Sequence, residues 1–187
     1  PPPPPPPPPP FFFFTPKRAN AILSGLVGSE MCIRDSKGKN LIPFDQMKLV
    51  SFSSENQSNN RKAIFAIDGR PDTVWHSSWS DGLKKHPHEL VIDLGAVYEV
   101  SGFRYLARQE GSWNGSFADT EFYVSDSPTR FESPAAKAAF TKNRKAQSAN
   151  CDKPVRGRYV KVRALSEISG GDWGSAADIG VIGKPVK

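Results

Sequence analysis

His88-Glu89-Leu90-Val91-Ile92-Asp93-Leu94-Gly95 is the stretch on which the fold turns. It mixes β-branched and aliphatic residues with polar ones at strand spacing and stops at glycine, which predicts a strand over Glu89–Leu94. Outward on either side lie two clusters rich in aromatic, imidazole, guanidinium and amide groups. Before it come Asp68-Gly69 and Trp75-His76-Ser77-Ser78-Trp79; after it comes Arg104-Tyr105-Leu106-Ala107-Arg108-Gln109-Glu110-Gly111-Ser112-Trp113-Asn114-Gly115. A strand between them makes both clusters loops of one scaffold, so these groups collect outside the core.

Further strand signals recur at short intervals. Met47–Ser54 alternates, a polar loop follows over Glu55–Arg61, and Ala63–Ile67 is a tight apolar run. Glu99–Leu106, Thr120–Ser125 and Arg158–Leu165 read as strands, the last with Val160, Val162 and Ala164 on one face and Tyr159, Lys161 and Arg163 on the other. Residues 180–187 read as a terminal strand with a fraying tail. Ser133 followed by Pro134 and an alanine-rich run predicts one short helix over Pro134–Phe140. Short strands separated by turn residues point to an all-β antiparallel sandwich or jelly roll.

The first 40 residues stand apart. Pro1–Pro10 and Phe11–Phe14 are unbroken runs, as homopolymer tracts of C and T read when translated. Leu26–Ser36 resembles one reading frame of a transposase adapter used to prepare sequencing libraries. Residues 1–40 are therefore set aside as an artefactual or disordered segment, and residues 41–187 are taken as one domain. Cys32 then drops out, leaving Cys151 as a lone thiol, too few for a disulfide framework.

Composition excludes more than it assigns. The net charge of +6 is dispersed, with no basic run of the kind that forms a nucleic-acid arm. No apolar segment reaches the roughly 18 residues that a membrane span needs. Neither nucleic acid nor a membrane is expected as a partner.

Read locally, Asp68-Gly69-Arg70-Pro71-Asp72-Thr73 is an ordinary Asp-Gly turn, although its carboxylate, hydroxyl and carbonyl oxygens are also a set that calcium uses. His76 between Trp75 and Trp79 fits a packing role, but Arg108 and Asn114 in the next loop add donors suited to sugar hydroxyls, and a sugar ring also needs an exposed aromatic. Trp113 and Trp173 sit in glycine-rich, loop-like surroundings. His76, His86 and His88 supply the three histidines that a catalytic zinc site can use. No nucleophile elbow, zincin helix, phosphate loop or Cys-x-x-Cys pair accompanies them, and no enzyme is expected.

Taken in order, Ala66-Ile67-Asp68-Gly69, Thr73-Val74-Trp75-His76-Ser77, Val91–Gly95, Val100–Leu106, Phe122–Ser125, Gly157–Val162 and Ala164-Leu165-Ser166-Glu167 resemble the coagulation factor V/VIII type C, or discoidin-like, domain, and most of all bacterial carbohydrate-binding modules of family 32. The resemblance spans about Met47–Gly183. It implies an eight-stranded antiparallel jelly-roll β-sandwich of the galactose-binding-like type, whose loops at one end bind galactose or N-acetylgalactosamine. It places the sugar contacts on His76, Trp79, Arg108, Asn114 and Trp173. It also implies a structural calcium ion held by Asp68, Thr73 and Asp178 with the carbonyls of Phe65, Arg70 and Ala177. A non-catalytic module within a larger multidomain enzyme, secreted or at the cell surface, is the expectation; a cell-adhesion or phospholipid- or protein-binding discoidin domain is the alternative. The chain departs from the family at Arg70, Asp178, Trp113 and Ser116-Phe117, and Cys151 cannot form the disulfide of animal members.

Overall fold

The structure is a computed structural model that describes Pro1, residues 40–80 and residues 82–186. The chain divides into two units, Pro1–Asp35 and Ser36–Lys187, and every strand assigned among the described residues belongs to the second. The reading of residues 1–40 as an artefactual or disordered segment lies outside the described residues, apart from Pro1 and Asn40.

These strands number eight: β1 (Lys48–Phe52), β2 (Trp75–His76), β3 (His88–Leu106), β4 (Asp119–Ser125), β5 (Ala136–Ala139), β6 (Gln147–Ala164), β7 (Ser175–Ala176) and β8 (Asp178–Pro185). All their pairings are antiparallel. The all-β antiparallel architecture is as expected, although β2 and β7 are two residues long and form a ribbon of their own.

The two segments expected as separate strands at Glu89–Leu94 and Glu99–Leu106 are one strand, β3. Its first half lies between β1 and the second half of β6; its second half lies between the first half of β6 and β8. Pairing slips between Asp93 and Tyr98, where Gly95 takes φ +80°. Asp93 steadies the bend by accepting the Gly95 N–H at 2.8 Å and two hydrogen bonds from Arg158, each at 2.8 Å. Because β3 and β6 both cross this bend, one hydrogen-bonded path supplies two layers. Phe103 from the second half of β3 stacks on Phe122 of β4 with centroids 4.5 Å apart, and Tyr105 stacks on Phe117 and Phe140. This aromatic column, with Trp75, Leu90, Ile92 and Ile179, is the core.

Three expectations are corrected. Pro134–Phe140 contains no helix: Ala136–Ala139 is a strand paired with β4, Phe122 opposite Ala136. Seven residues cannot repay helix nucleation, whereas the open edge of β4 offers backbone partners and extension buries Ala136 and Phe140. Ala63–Ile67 is a 3-10 helix that buries Ala63, Ala66 and Ile67, because a one-sided apolar run of five residues fits a tight turn as well as a strand. β6 begins at Gln147, eleven residues before the expected start. Its first half is polar and carries Pro154, which falls in the gap of the register between Asn150 and Val155, where no ladder bond is lost.

Candidate functional site

Four connections meet at one end of the sandwich: residues 53–74, 77–87, 107–118 and 165–174. Backbone bonds fix them to each other. Ser77 N–H donates to the Gly174 carbonyl at 2.7 Å and Gly174 N–H donates to Ser77 Oγ at 3.0 Å. Ser175 N–H donates to the Gly115 carbonyl at 2.6 Å, and Ser175 Oγ donates to the Asn114 carbonyl at 3.0 Å. Gly115 takes φ +77°, and a Cβ there would lie 2.8 Å from the Gly174 carbonyl carbon, so only glycine fits. The buried carboxylate of Glu167 accepts the N–H groups of Gly115 and Gly171, joining the Asn114 loop to the Trp173 loop.

These connections border an open cavity of about 640 Å³, and all five residues expected to contact sugar, His76, Trp79, Arg108, Asn114 and Trp173, line it. His76 sits on β2 and is buried. Its Nδ1 lies 2.9 Å from the Ser77 carbonyl; a carbonyl only accepts, so Nδ1 carries the proton. Burial pushes its pKa down to about 4, against the opposing pull of that hydrogen bond, with Arg108 and Arg61 adding to the depression. His76 is thus neutral near pH 7, with Nε2 as an acceptor.

Trp79 is 41% exposed. Its ring stands edge-on to His76 with centroids 4.5 Å apart, and Trp173 lies 6.5 Å from the same imidazole. Arg108 spends Nε on the Glu110 carbonyl at 3.1 Å, and its Nη groups have no partner among the described residues. Burial holds its pKa below the usual guanidinium value, and Arg61 and Arg144 press the same way. Asn114 is exposed, with its side-chain amide unengaged among the described residues. Trp173 Nε1 is buried without an acceptor among them. The cavity therefore combines one neutral acceptor, fork-like donors, an amide and indole surface.

Asn59, Arg61 and Leu83 also line the cavity, and sequence reasoning does not single them out. They lie in polar or unpatterned loops, where nothing local marks a residue that the topology later turns inward. In sequence Glu167 stands out only as part of a motif; its spacing from Gly171 is the available signal for a carboxylate binding a loop. Trp113 does not line the cavity. It packs against the core and carries the Arg144 guanidinium 4.1 Å from its ring centroid.

The three histidines do not converge as one ligand set. His86 and His88 stand edge-on with centroids 4.7 Å apart, but His86 Nδ1 and His88 Nε2 are spent on the carbonyls of Ala164 and Asp172 at 3.2 and 2.8 Å, and His76 Nδ1 on that of Ser77. Among the described residues no group of three or more His, Cys, Asp or Glu side chains could hold a metal.

The residues expected around calcium lie elsewhere, at the turn after the 3-10 helix and the start of β8. Thr73 Oγ1 lies 2.9 and 2.8 Å from the two Asp68 oxygens and 3.0 Å from the Arg70 carbonyl. Asp178 is buried; its Oδ2 accepts from Arg104 Nη2 at 2.8 Å, while Oδ1 is buried without a partner among the described residues. Burial raises the Asp178 pKa to about 7, opposed by Arg104 and reinforced by the charge of Asp68. An orphaned carboxylate oxygen beside a second carboxylate and a hydroxyl suits a hard cation. The Arg70 side chain takes no part in this set: it pairs with Asp72 at 2.8 Å on the surface.

The family model for the F5/8 type C domain matches residues 50–179. Residues of this chain are 35% identical over 134 positions to a sialidase of Micromonospora viridifaciens, covering 71% of this chain and 20% of the sialidase. They are 35% identical over 133 positions to a galactose oxidase of Gibberella zeae, covering 70% and 18%. The chain thus spans about a fifth of the length of these relatives. Among solved structures, CpGH89CBM32-5 from Clostridium perfringens, in complex with GalNAc-β-1,3-galactose, is 27% identical with a TM-score of 0.68, covering 76% of this chain and 99% of that one. A family 32 carbohydrate-binding module of the same organism, in complex with galactose, is 26% identical with a TM-score of 0.66, covering 76% and 98%. The C-terminal domain of a Bacteroides fragilis chitobiase is 28% identical with a TM-score of 0.70, covering 79% and 99%.

Proposed function

The chain belongs to the F5/8 type C domain family, and on that premise we propose that it is a non-catalytic carbohydrate-binding module for galactose-type sugars. The observation that carries the reading is the convergence of His76, Trp79, Arg108, Asn114 and Trp173 on one cavity from three separate stretches of chain. His76 Nε2 accepts a sugar hydroxyl, Arg108 donates through its unspent Nη groups, Asn114 completes the polar set, and the exposed face of Trp79 receives the apolar face of the ring. Few groups are engaged, so single-sugar affinity is on the order of micromolar to millimolar.

Calorimetry with galactose and N-acetylgalactosamine tests this. Binding that is lost in His76→Ala and Arg108→Ala supports it; no binding of either sugar with calcium present sinks it.

The same reading includes a structural calcium ion, held by Asp68, Thr73 and Asp178 with the carbonyls of Phe65, Arg70 and Ala177. The ion would supply charge neutralisation between two carboxylates and brace the turn at Asp68 against β8. Because the chain spans a fifth of a sialidase and a galactose oxidase, we place it beside a catalytic domain in a secreted or surface protein, where it holds that enzyme against its glycan.

One observation favours a second reading. Trp79 and Leu83 are both exposed at the cavity rim, at 41% and 48%, as loop spikes of a phospholipid- or protein-binding discoidin domain would be. Binding to anionic vesicles that survives excess galactose would favour it.

A further inference from the structure

The cavity carries positive charge that a neutral galactoside leaves unmatched. Arg61 and Arg108 both line it, from loops on opposite sides of β3 in the chain. Arg61 Nη2 donates to Glu110 Oε1 at 2.6 Å, which uses one of five N–H donors. Within that pair the Arg61 side chain is 28% exposed and that of Glu110 58%, so the anion lies toward solvent and the cation toward the wall. Among the described residues Arg108 gives only Nε, on a carbonyl rather than a carboxylate. Arg144 adds a third guanidinium behind them, bonded to the carbonyls of Arg108 and Gly111.

The surrounding charges agree. Among the described residues, the charged neighbours acting on His76 at the cavity are Arg108 and Arg61, with His88, and no carboxylate is among them. On Arg108, Glu110 is the single anion among the described residues, set against Arg61 and Arg144. Two partly desolvated guanidinium groups that share one surface carboxylate favour a further anion, and their planar forks match a carboxylate or sulfate edge.

We infer that the site prefers glycans carrying an anionic substituent, a carboxylate or a sulfate ester, on or beside the galactose-type ring, and that Arg61 is the residue that reads this charge. The inference rests on the sugar-binding reading above, and it assigns Arg61 a role that the neutral sugar does not need.

Arg61 can be changed without breaking the loop, because its backbone bonds, N–H to the Asn56 carbonyl at 2.9 Å and carbonyl from His76 N–H at 3.3 Å, do not involve the side chain. Calorimetry on the full chain compares methyl galactoside, methyl galacturonide and galactose 6-sulfate at about 20 mM and about 500 mM salt. The expected result is about tenfold tighter binding of at least one anionic sugar at low salt, shrinking at high salt. Arg61→Gln brings that ratio close to one, and Glu110→Gln, which frees Arg61, raises it. Preference for the uronide alone or for the sulfate alone identifies which anion is read. Equal affinities in the unmodified chain, or a ratio that neither variant moves, overturn the inference while the neutral galactoside still binds. Failure of all three sugars to bind overturns both the inference and the reading beneath it.

Discussion

Glu167 Oε1 accepts the backbone N–H of Gly171 at 2.7 Å, and a side-chain carbon at 171 would collide with that oxygen. The other oxygen of the same buried carboxylate takes the Gly115 N–H, so one side chain spans the loops that carry Asn114 and Trp173. Gly171→Ala and Glu167→Gln should each lower stability by about 1–3 kcal/mol, the cost of leaving a buried donor or acceptor unpaired. Both should also weaken galactoside binding, although neither residue lines the cavity. Chemical denaturation and calorimetry on the same samples check this; unchanged binding in a destabilised but folded variant would remove Glu167 from site positioning.

His76 contributes one part of the pH response, opposite in sign to that of Asp178, whose pKa is raised to about 7. Its native pKa of about 4 lies below the ordinary 6.5, so the unfolded chain takes up a proton that the native state refuses. Stability from this group is therefore complete above about pH 6.5 and declines as pH falls toward 4, with His88 acting in the same direction. Ligand binding behaves differently, because native His76 keeps Nε2 as an acceptor until it protonates. Affinity for a neutral galactoside should stay flat from about pH 8 to about 5 and fall near 4. A binding midpoint near 6.5, read by NMR titration of the imidazole, would contradict a buried His76.

Two tryptophans that look alike in sequence should separate on substitution. Trp79 is exposed and touches His76 at the cavity, so Trp79→Ala should cost about tenfold or more in sugar affinity with little change in melting temperature. Trp113 supports Arg144 and packs on the core, so Trp113→Ala should lower stability by about 1–2 kcal/mol and affect the sugar less. Thermal melts beside calorimetry distinguish the pair, and a larger affinity loss from Trp113→Ala would reverse the assignment.

The two tryptophans also mark how far sequence reaches. Strands with one buried face were legible because period-two alternation is a local signal, as in Arg158–Ala164. The first half of β6 was not, since a polar run with a proline becomes a strand only when β3 lies beside it. The alanine run at 136–139 likewise takes its state from the edge of β4 and not from its own propensity. At the site, the motif residues were legible through resemblance, whereas Asn59, Arg61 and Leu83 depend on how four loops fold together. Glu167 shows the same limit: a carboxylate becomes a brace only when two glycine N–H groups arrive from distant loops.

Asp178 meets Arg104 through Oδ2, while its Oδ1 is buried without a partner among the described residues. Burial and the neighbouring Asp68 push its pKa up to about 7, so the metal-free fold is strained by the charge that the carboxylate carries at neutral pH. A divalent cation bound there relieves both problems, since it neutralises the two carboxylates and occupies the idle oxygen. A ligand that binds only the native state stabilises it, by about 2.7 kcal/mol at a hundred times its Kd, which for a unit of this size is about 5 °C or more in Tm. Calcium added to chelator-treated protein should raise Tm by that order. Asp178→Asn and Asp68→Asn should each abolish the rise, and Asp178→Asn should cost less in chelator than in calcium because it removes an unfavourable buried charge. Identical melting of the unmodified chain in calcium and in chelator would show that Arg104 alone satisfies this site, and that the turn at Asp68 is held by its hydrogen bonds to Thr73 and Arg70 without a metal.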